Sequence, residues 1–207
     1  MIKRIFIISL IISFYSTLLQ SQTTSTAAES RKANLKELLD YRFKGGYYSF
    51  EGLFWRTVEY PEVAKKNCVV GILIIRFTVD CEGKIVDLRV TNPLRWGIEA
   101  EIQKFINATE GNWNTCEDDK YTKFEVPIQF TINDTETNST DGMIVYQTEL
   151  TGYNCKGDSY FKEKLDKALE KGQKKKSLKL LQELIKRDPY NNDYYEIRKS
   201  LLDVNKK

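Results

Sequence analysis

Histidine is absent from the 207-residue chain, and that single absence removes several kinds of site. Without an imidazole there is no Ser-His-Asp triad, no Cys-His pair and no zinc centre with a histidine ligand. Proline is scarce, with four in all, so no segment has the composition of a stiff proline-rich spacer. The four cysteines contain no C-x-x-C pair, which argues against a thioredoxin-like motif or a metal site. Charge of one sign is also in short supply. The formal net charge is +3, its basic excess gathered in the C-terminal quarter, and no stripe of arginine and aromatic residues marks a nucleic-acid surface. No metal, cofactor, nucleic acid or small-molecule substrate is expected. Catalysis would rest only on the acidic Glu117-Asp118-Asp119, which reads as a solvated loop, so the chain is not expected to be an enzyme.

What is present describes a globular protein: 41% hydrophobic and 29% charged residues. Residues 1–21 read as a signal peptide. Lys3 and Arg4 precede the apolar core Ile5–Leu19, and Leu19-Gln20-Ser21 offers a small residue for cleavage. A spanning helix needs about 20 apolar residues, more than this core supplies. An uncleaved inner-membrane anchor is the alternative. Export to a periplasmic, oxidising compartment permits disulfides among Cys68, Cys81, Cys116 and Cys155. Three pairings are open at this point.

The organising stretch is Val69–Asp80. Its odd positions are apolar or glycine throughout, while its even positions are apolar at Val70, Ile72 and Ile74 and polar from Arg76. That pattern suits a strand with neighbours on both sides. Asp80-Cys81-Glu82-Gly83 supplies a turn, and Lys84–Thr91 alternates as the return strand of a hairpin. Lys123–Ile132 alternates most cleanly: Phe124, Val126, Ile128, Phe130 and Ile132 share one face. Pro127 cannot donate to a ladder, so this strand is expected at the sheet edge with its missing donor on the open side.

Around these strands, residues 22–58 are expected to form a leader, flexible over Gln22–Ser30, with a helix over Ala33–Tyr41 and an aromatic packing segment from Phe43 to Trp55. Tyr60-Pro61 opens a short helix. Ile98, Ile102, Phe105 and Ile106 share one helical stripe. Residues 133–158 read as a polar linker with one further short strand over Met143–Leu150. Residues 159–207 carry helical periodicity in two apolar stripes, broken at Asp188-Pro189 and resumed over Tyr194–Leu202, and Lys174-Lys175-Lys176 reads as a solvated helix start.

Tyr60-Pro61, Ala64, Gly71, Phe77-Thr78-Val79-Asp80, Gly83-Lys84-Ile85, Val90, Trp113 and Val126-Pro127-Ile128-Gln129-Phe130 stand in the order found in the TonB C-terminal domain family. Residues 59–132 resemble that domain. The segment after the second strand (Asn92-Pro93-Leu94-Arg95-Trp96) and Thr115 depart from its pattern. The tail is similar to one and a half tetratricopeptide repeats. A single repeat cannot bury its own apolar face, so the tail should dock on the sheet domain or on a partner.

The resemblance implies a small antiparallel sheet backed by helices; with the hairpin, the edge strand and the helical hairpin that periodicity indicates for the C-terminal tail, an α+β fold is expected. It implies that Cys81 and Cys116 lie close, which leaves Cys68 for Cys155. It also implies protein binding by strand addition, with an extended peptide of an outer-membrane transporter or other envelope protein pairing with the edge strand. Pro127 and the outward Lys123, Glu125, Gln129 and Thr131 are the expected partner-binding residues. A homodimer by strand exchange is compatible with the same edge. An anchored energy transducer, coupling an inner-membrane motor to outer-membrane transporters, is the alternative. The roughly 40 residues between apolar core and domain span at most ~140 Å fully extended, and their expected helix shortens that reach.

Overall fold

The computed structural model describes residues 26–116 and 122–203. The signal-like segment 1–21 and the acidic triplet Glu117–Asp119 lie outside the described residues. Seven helices and four strands are described. The strands are β1 (Gly71–Val79), β2 (Ile85–Val90), β3 (Thr122–Ile132) and β4 (Ile144–Thr148). They form one sheet in the order β2-β1-β3-β4. β1 pairs antiparallel with β2 and β3, and β4 joins β3 in parallel.

The α+β class holds, but two expectations about the sheet do not. It is mixed rather than purely antiparallel, and β3 is interior over half its length. β4, the short strand expected over Met143–Leu150, runs along Ile128–Ile132 and takes an outer position of the sheet. At the other edge, Asp87 and Leu88 of β2 face the single residue Phe77, and Asp87 has φ 54°. This bulge twists the β2 edge and discourages further pairing.

Leu73, Ile75, Phe77 and Val79 of β1 and the apolar series of β3 face one core. Three helices enclose it: α1 (Ala27–Arg42), α2 (Gly46–Thr57) and α4 (Ile98–Ala108), with the short α3 (Glu62–Lys66) between. α1 begins inside the segment expected to be flexible. Thr26 and Glu29 cap it reciprocally, each side chain bonding the other's backbone N–H, and a T-x-x-E box of this kind nucleates a first turn. The aromatic segment folds as α2 and buries Phe50 and Phe54 against Phe105 of α4. Trp113 meets Phe43, Phe77 and Phe124 edge-on or tilted. Such ring pairs contribute about 0.5–1.5 kcal/mol each beyond burial. Buried Arg42 ties the end of α1 to the sheet, donating to Thr122 Oγ1 at 2.9 Å and to the Asp80 carbonyl at 2.7 Å.

The tail has three helices: α5 (Asp158–Glu170), α6 (Lys174–Arg187) and α7 (Asn192–Asp203). They close a second small core around Leu165, Leu181, Leu184, Ile185 and Tyr194. Asp158 and Arg187, both almost fully buried, pair at 2.9 Å. The Asp158 carboxylate also accepts the Asn138 N–H at 2.8 Å, so the polar linker is pinned to the tail.

The tail docks on the second face of β1. Asn92 Nδ2 donates to the Ile72 carbonyl at 2.6 Å and to the Lys186 carbonyl at 3.1 Å, clasping α6 to the strand. Gly71 makes the approach possible, since a Cβ there would stand 2.5 Å from the Lys186 oxygen. Cys68 and Cys155 join the start of β1 to the segment leading into the tail, and Cys81 and Cys116 join the hairpin turn to the strand-ward loop. These are the pairs that the resemblance implied.

Gly71→Ala is expected to destabilise the fold by about 1–3 kcal/mol through overpacking against α6, read from the urea midpoint. Replacing Cys68 and Cys155 by serine opens a loop of sequence separation 87. It should cost about 2–4 kcal/mol, measured by the same titration against the oxidised parent.

Candidate functional site

The half of β3 that β4 leaves uncovered is the most site-like feature of the surface. The Pro127 carbonyl accepts the Met143 N–H at 2.8 Å. A strand residue turns its N–H and C=O to one side, so the missing donor of Pro127 faces away from β1, as its place in the sequence suggested. By the same alternation the backbone groups of Lys123 and Glu125 point that way. Among the described residues, no strand pairs with them there, because β4 reaches only Ile128–Ile132.

α1 runs along this open flank in the opposite direction to β3. Its last residue, Arg42, meets Thr122 at the start of the strand. Near its beginning, Arg31 pairs with Asp141, just before the Met143 bond to Pro127. Strand and helix bound a groove of about 270 Å³. Its floor is apolar, formed by Leu35, Leu38, Pro127 and Met143. Its rim carries Arg31, Lys32, Lys123, Glu125 and Tyr190.

The rim charges are unequally satisfied. Glu125 is bound on both oxygens, by Arg76 Nε at 2.7 Å and by the Tyr190 hydroxyl at 2.8 Å. Burial, reinforced by the bond to Glu125, pushes the Tyr190 phenol well above its ordinary pKa, so it stays a donor. Arg31 pairs with Asp141 and lies over the Tyr190 ring at 4.3 Å. Lys32 and Lys123 have no carboxylate partner among the described residues. The groove therefore offers two uncommitted ammonium groups beside an apolar floor and open backbone donors and acceptors.

The five expected partner-binding residues do not stay together. Lys123, Glu125 and Pro127 line this groove. Gln129 is buried, because the linker crosses over it and its Nε2 donates to the Ser139 carbonyl at 3.1 Å. Thr131 lies beyond that crossing, in a shallow depression shared with Asn133, Val145 and Gln147. At Gln129 and Thr131 the chain's own β4 takes the place where an added strand was expected. That part of the expectation is corrected.

Residues from α1 and the tail were missed as members of the site. The capping box at Thr26 and Glu29 was a legible sign that α1 starts early enough to include Arg31 and Lys32. Nothing local marks Tyr190, which reaches β3 from the Asp188-Pro189 turn. Among the described residues no group of acidic or cysteine side chains could hold a metal ion, and no helix is long and apolar enough to cross a membrane. Comparison of the chain with protein-family models, with curated proteins and with solved structures gave no match.

Tyr190→Phe removes a hydrogen bond to a charged acceptor, and a loss of about 1.5 kcal/mol is expected. A urea titration of variant and parent with disulfides intact measures it.

Proposed function

We propose that this chain is an exported protein-binding module that takes an extended, acidic peptide segment of an envelope protein into the groove between α1 and the open half of β3. The observation that carries this reading is the half-open strand. Backbone groups of Lys123 and Glu125 face a groove whose far wall is a helix, and an extended peptide can pair with them by strand addition. Leu35, Leu38, Pro127 and Met143 would receive its alternate side chains. Lys32 and Lys123 would pair with its carboxylates, which selects an acidic segment over a basic one.

Two further considerations support it. Both disulfides are formed and no cysteine is free, which fits an oxidising compartment outside the cytoplasm. The resemblance of residues 59–132 to the TonB C-terminal domain points to peptides of outer-membrane transporters as the first partners to try. The binding register differs from the simple edge: only the backbone groups of Lys123 and Glu125 are offered, Pro127 having no donor and its carbonyl already bound by Met143, so the paired segment is short. A short segment held mainly by backbone bonds and two ion pairs gives modest affinity, suited to a transient contact.

The test uses the processed protein with its disulfides intact and a fluorescein-labelled extended peptide of alternating Glu and Val. Anisotropy should report saturable binding, and hydrogen exchange should show the amides of Lys123 and Glu125 newly protected. The double variant Lys32→Glu/Lys123→Glu should weaken binding at least tenfold, about 1.4 kcal/mol. A peptide N-methylated at alternate positions should fail to bind. Equal binding of the methylated peptide, or unchanged exchange at those two amides, rejects strand addition.

A further inference from the structure

A second cleft of about 430 Å³ lies where the tail meets the sheet domain, lined by the segment Thr91–Arg95 and by α6 and α7. Four cationic side chains converge on it from three separate elements: Arg95 from the segment after β2, Lys179 and Lys186 from α6, and Arg198 from α7. No carboxylate lines it. Glu183, beside Lys186 on α6, is already shared between Lys186 and Arg187. Arg95, Lys179 and Arg198 have no carboxylate partner among the described residues.

Four like charges with only the one shared carboxylate of Glu183 beside them repel one another, and the fold holds them there nonetheless. Arg95 is held in a left-handed conformation at φ 71°, followed by Trp96 at φ 59°. Two such residues in succession are uncommon for side chains other than glycine, asparagine or aspartate. Between the charges Pro93, Leu178, Ile185 and Leu202 form an apolar strip, interrupted by the polar Thr91, Asn92 and Gln182. Leu178, Gln182 and Ile185 form one stripe along α6, and Tyr195, Arg198 and Leu202 form another along α7. Two helical stripes with the Thr91–Arg95 segment beside them make a trough with an apolar strip along its floor and a basic rim.

We infer that this trough is a second binding site, separate from the groove beside β3, and that its occupant is an amphipathic helix of a partner protein with an apolar stripe flanked by Asp and Glu. The floor decides between anionic partners. An inorganic anion or an acidic sugar polymer would satisfy the three uncommitted cations and leave Leu178 and Leu202 against water. An acidic amphipathic helix covers both, in the helix-in-groove mode. Leu202 and Tyr195 are exposed, at 49% and 39%, and such a helix would cover them. The site joins the sheet domain to the tail, so binding would also fasten the tail where the Cys68–Cys155 bond already tethers its approach.

The experiment titrates the oxidised, processed protein with a labelled helical peptide built of Leu, Glu and Ala, with polyglutamate of equal charge as comparison. The helical peptide should bind and polyglutamate should bind at least tenfold more weakly. Lys179→Glu/Arg198→Glu changes two exposed side chains, so the thermal midpoint should hold while affinity for the helical peptide falls at least tenfold. Leu202→Ala should weaken the helical peptide severalfold and leave polyglutamate unchanged. No binding, binding indifferent to the charge reversal, or polyglutamate as tight as the helix would each overturn the inference. Lys32→Glu/Lys123→Glu serves as the control for the first groove: it should leave this binding intact, and a loss there would move the helix to the other site and overturn the inference as well.

Discussion

β1 carries apolar side chains on both faces, and the architecture follows from that constraint. A strand of this kind cannot end a protein's packing with one layer of helices, because Ile72 and Ile74 would remain in water. α2 and α4 cover the face of Leu73, Ile75 and Phe77, and the tail covers the other through α6. The closeness of that second contact depends on Gly71 and on the clasp of Asn92. The tail is therefore part of the sheet's enclosure and only secondarily a helical unit with its own small core.

The position of β4 follows from the linker. A parallel strand needs the chain to return along the sheet before it pairs. Here the return is made by the polar residues after Ile132, pinned to Asp158 and to Gln129 rather than carried by a crossover helix. Because the pinning falls over Gln129, β4 begins just past Pro127, where β3 lacks a donor. One end of β3 is thus sealed by the chain itself and the other is left to α1. The groove exists because a helix cannot satisfy a strand's backbone groups as another strand would.

The two basic sites share a physical logic. In each, the carboxylates close at hand are already committed, Glu125 to Arg76 and Tyr190 and Glu183 to Lys186 and Arg187. The remaining amines and guanidinium groups stand beside apolar floors. A net charge of +3 hides this arrangement, because the acidic residues are spread elsewhere. Local charge, rather than the total, decides what such a surface attracts.

Periodicity alone located the hairpin, the α4 stripe, the alternation of β3 and the helical character of the tail, since each depends on side chains a few residues apart. The chemistry of Pro127 pointed to an edge strand, whereas β4 stands outside β3 and the Met143 N–H binds the Pro127 carbonyl on the side where its donor is missing. The start of α1 was legible in the Thr26–Glu29 box, though only as a local signal. The tertiary structure decided which strand is the edge: β4 is short, and its parallel pairing depends on a return path that no local pattern encodes. It likewise decided that Gln129 is covered while Lys123 is not, and that Tyr190 reaches Glu125 across 65 positions of sequence. Alternation tells which way a side chain points; what stands opposite it is set by the packing of distant elements.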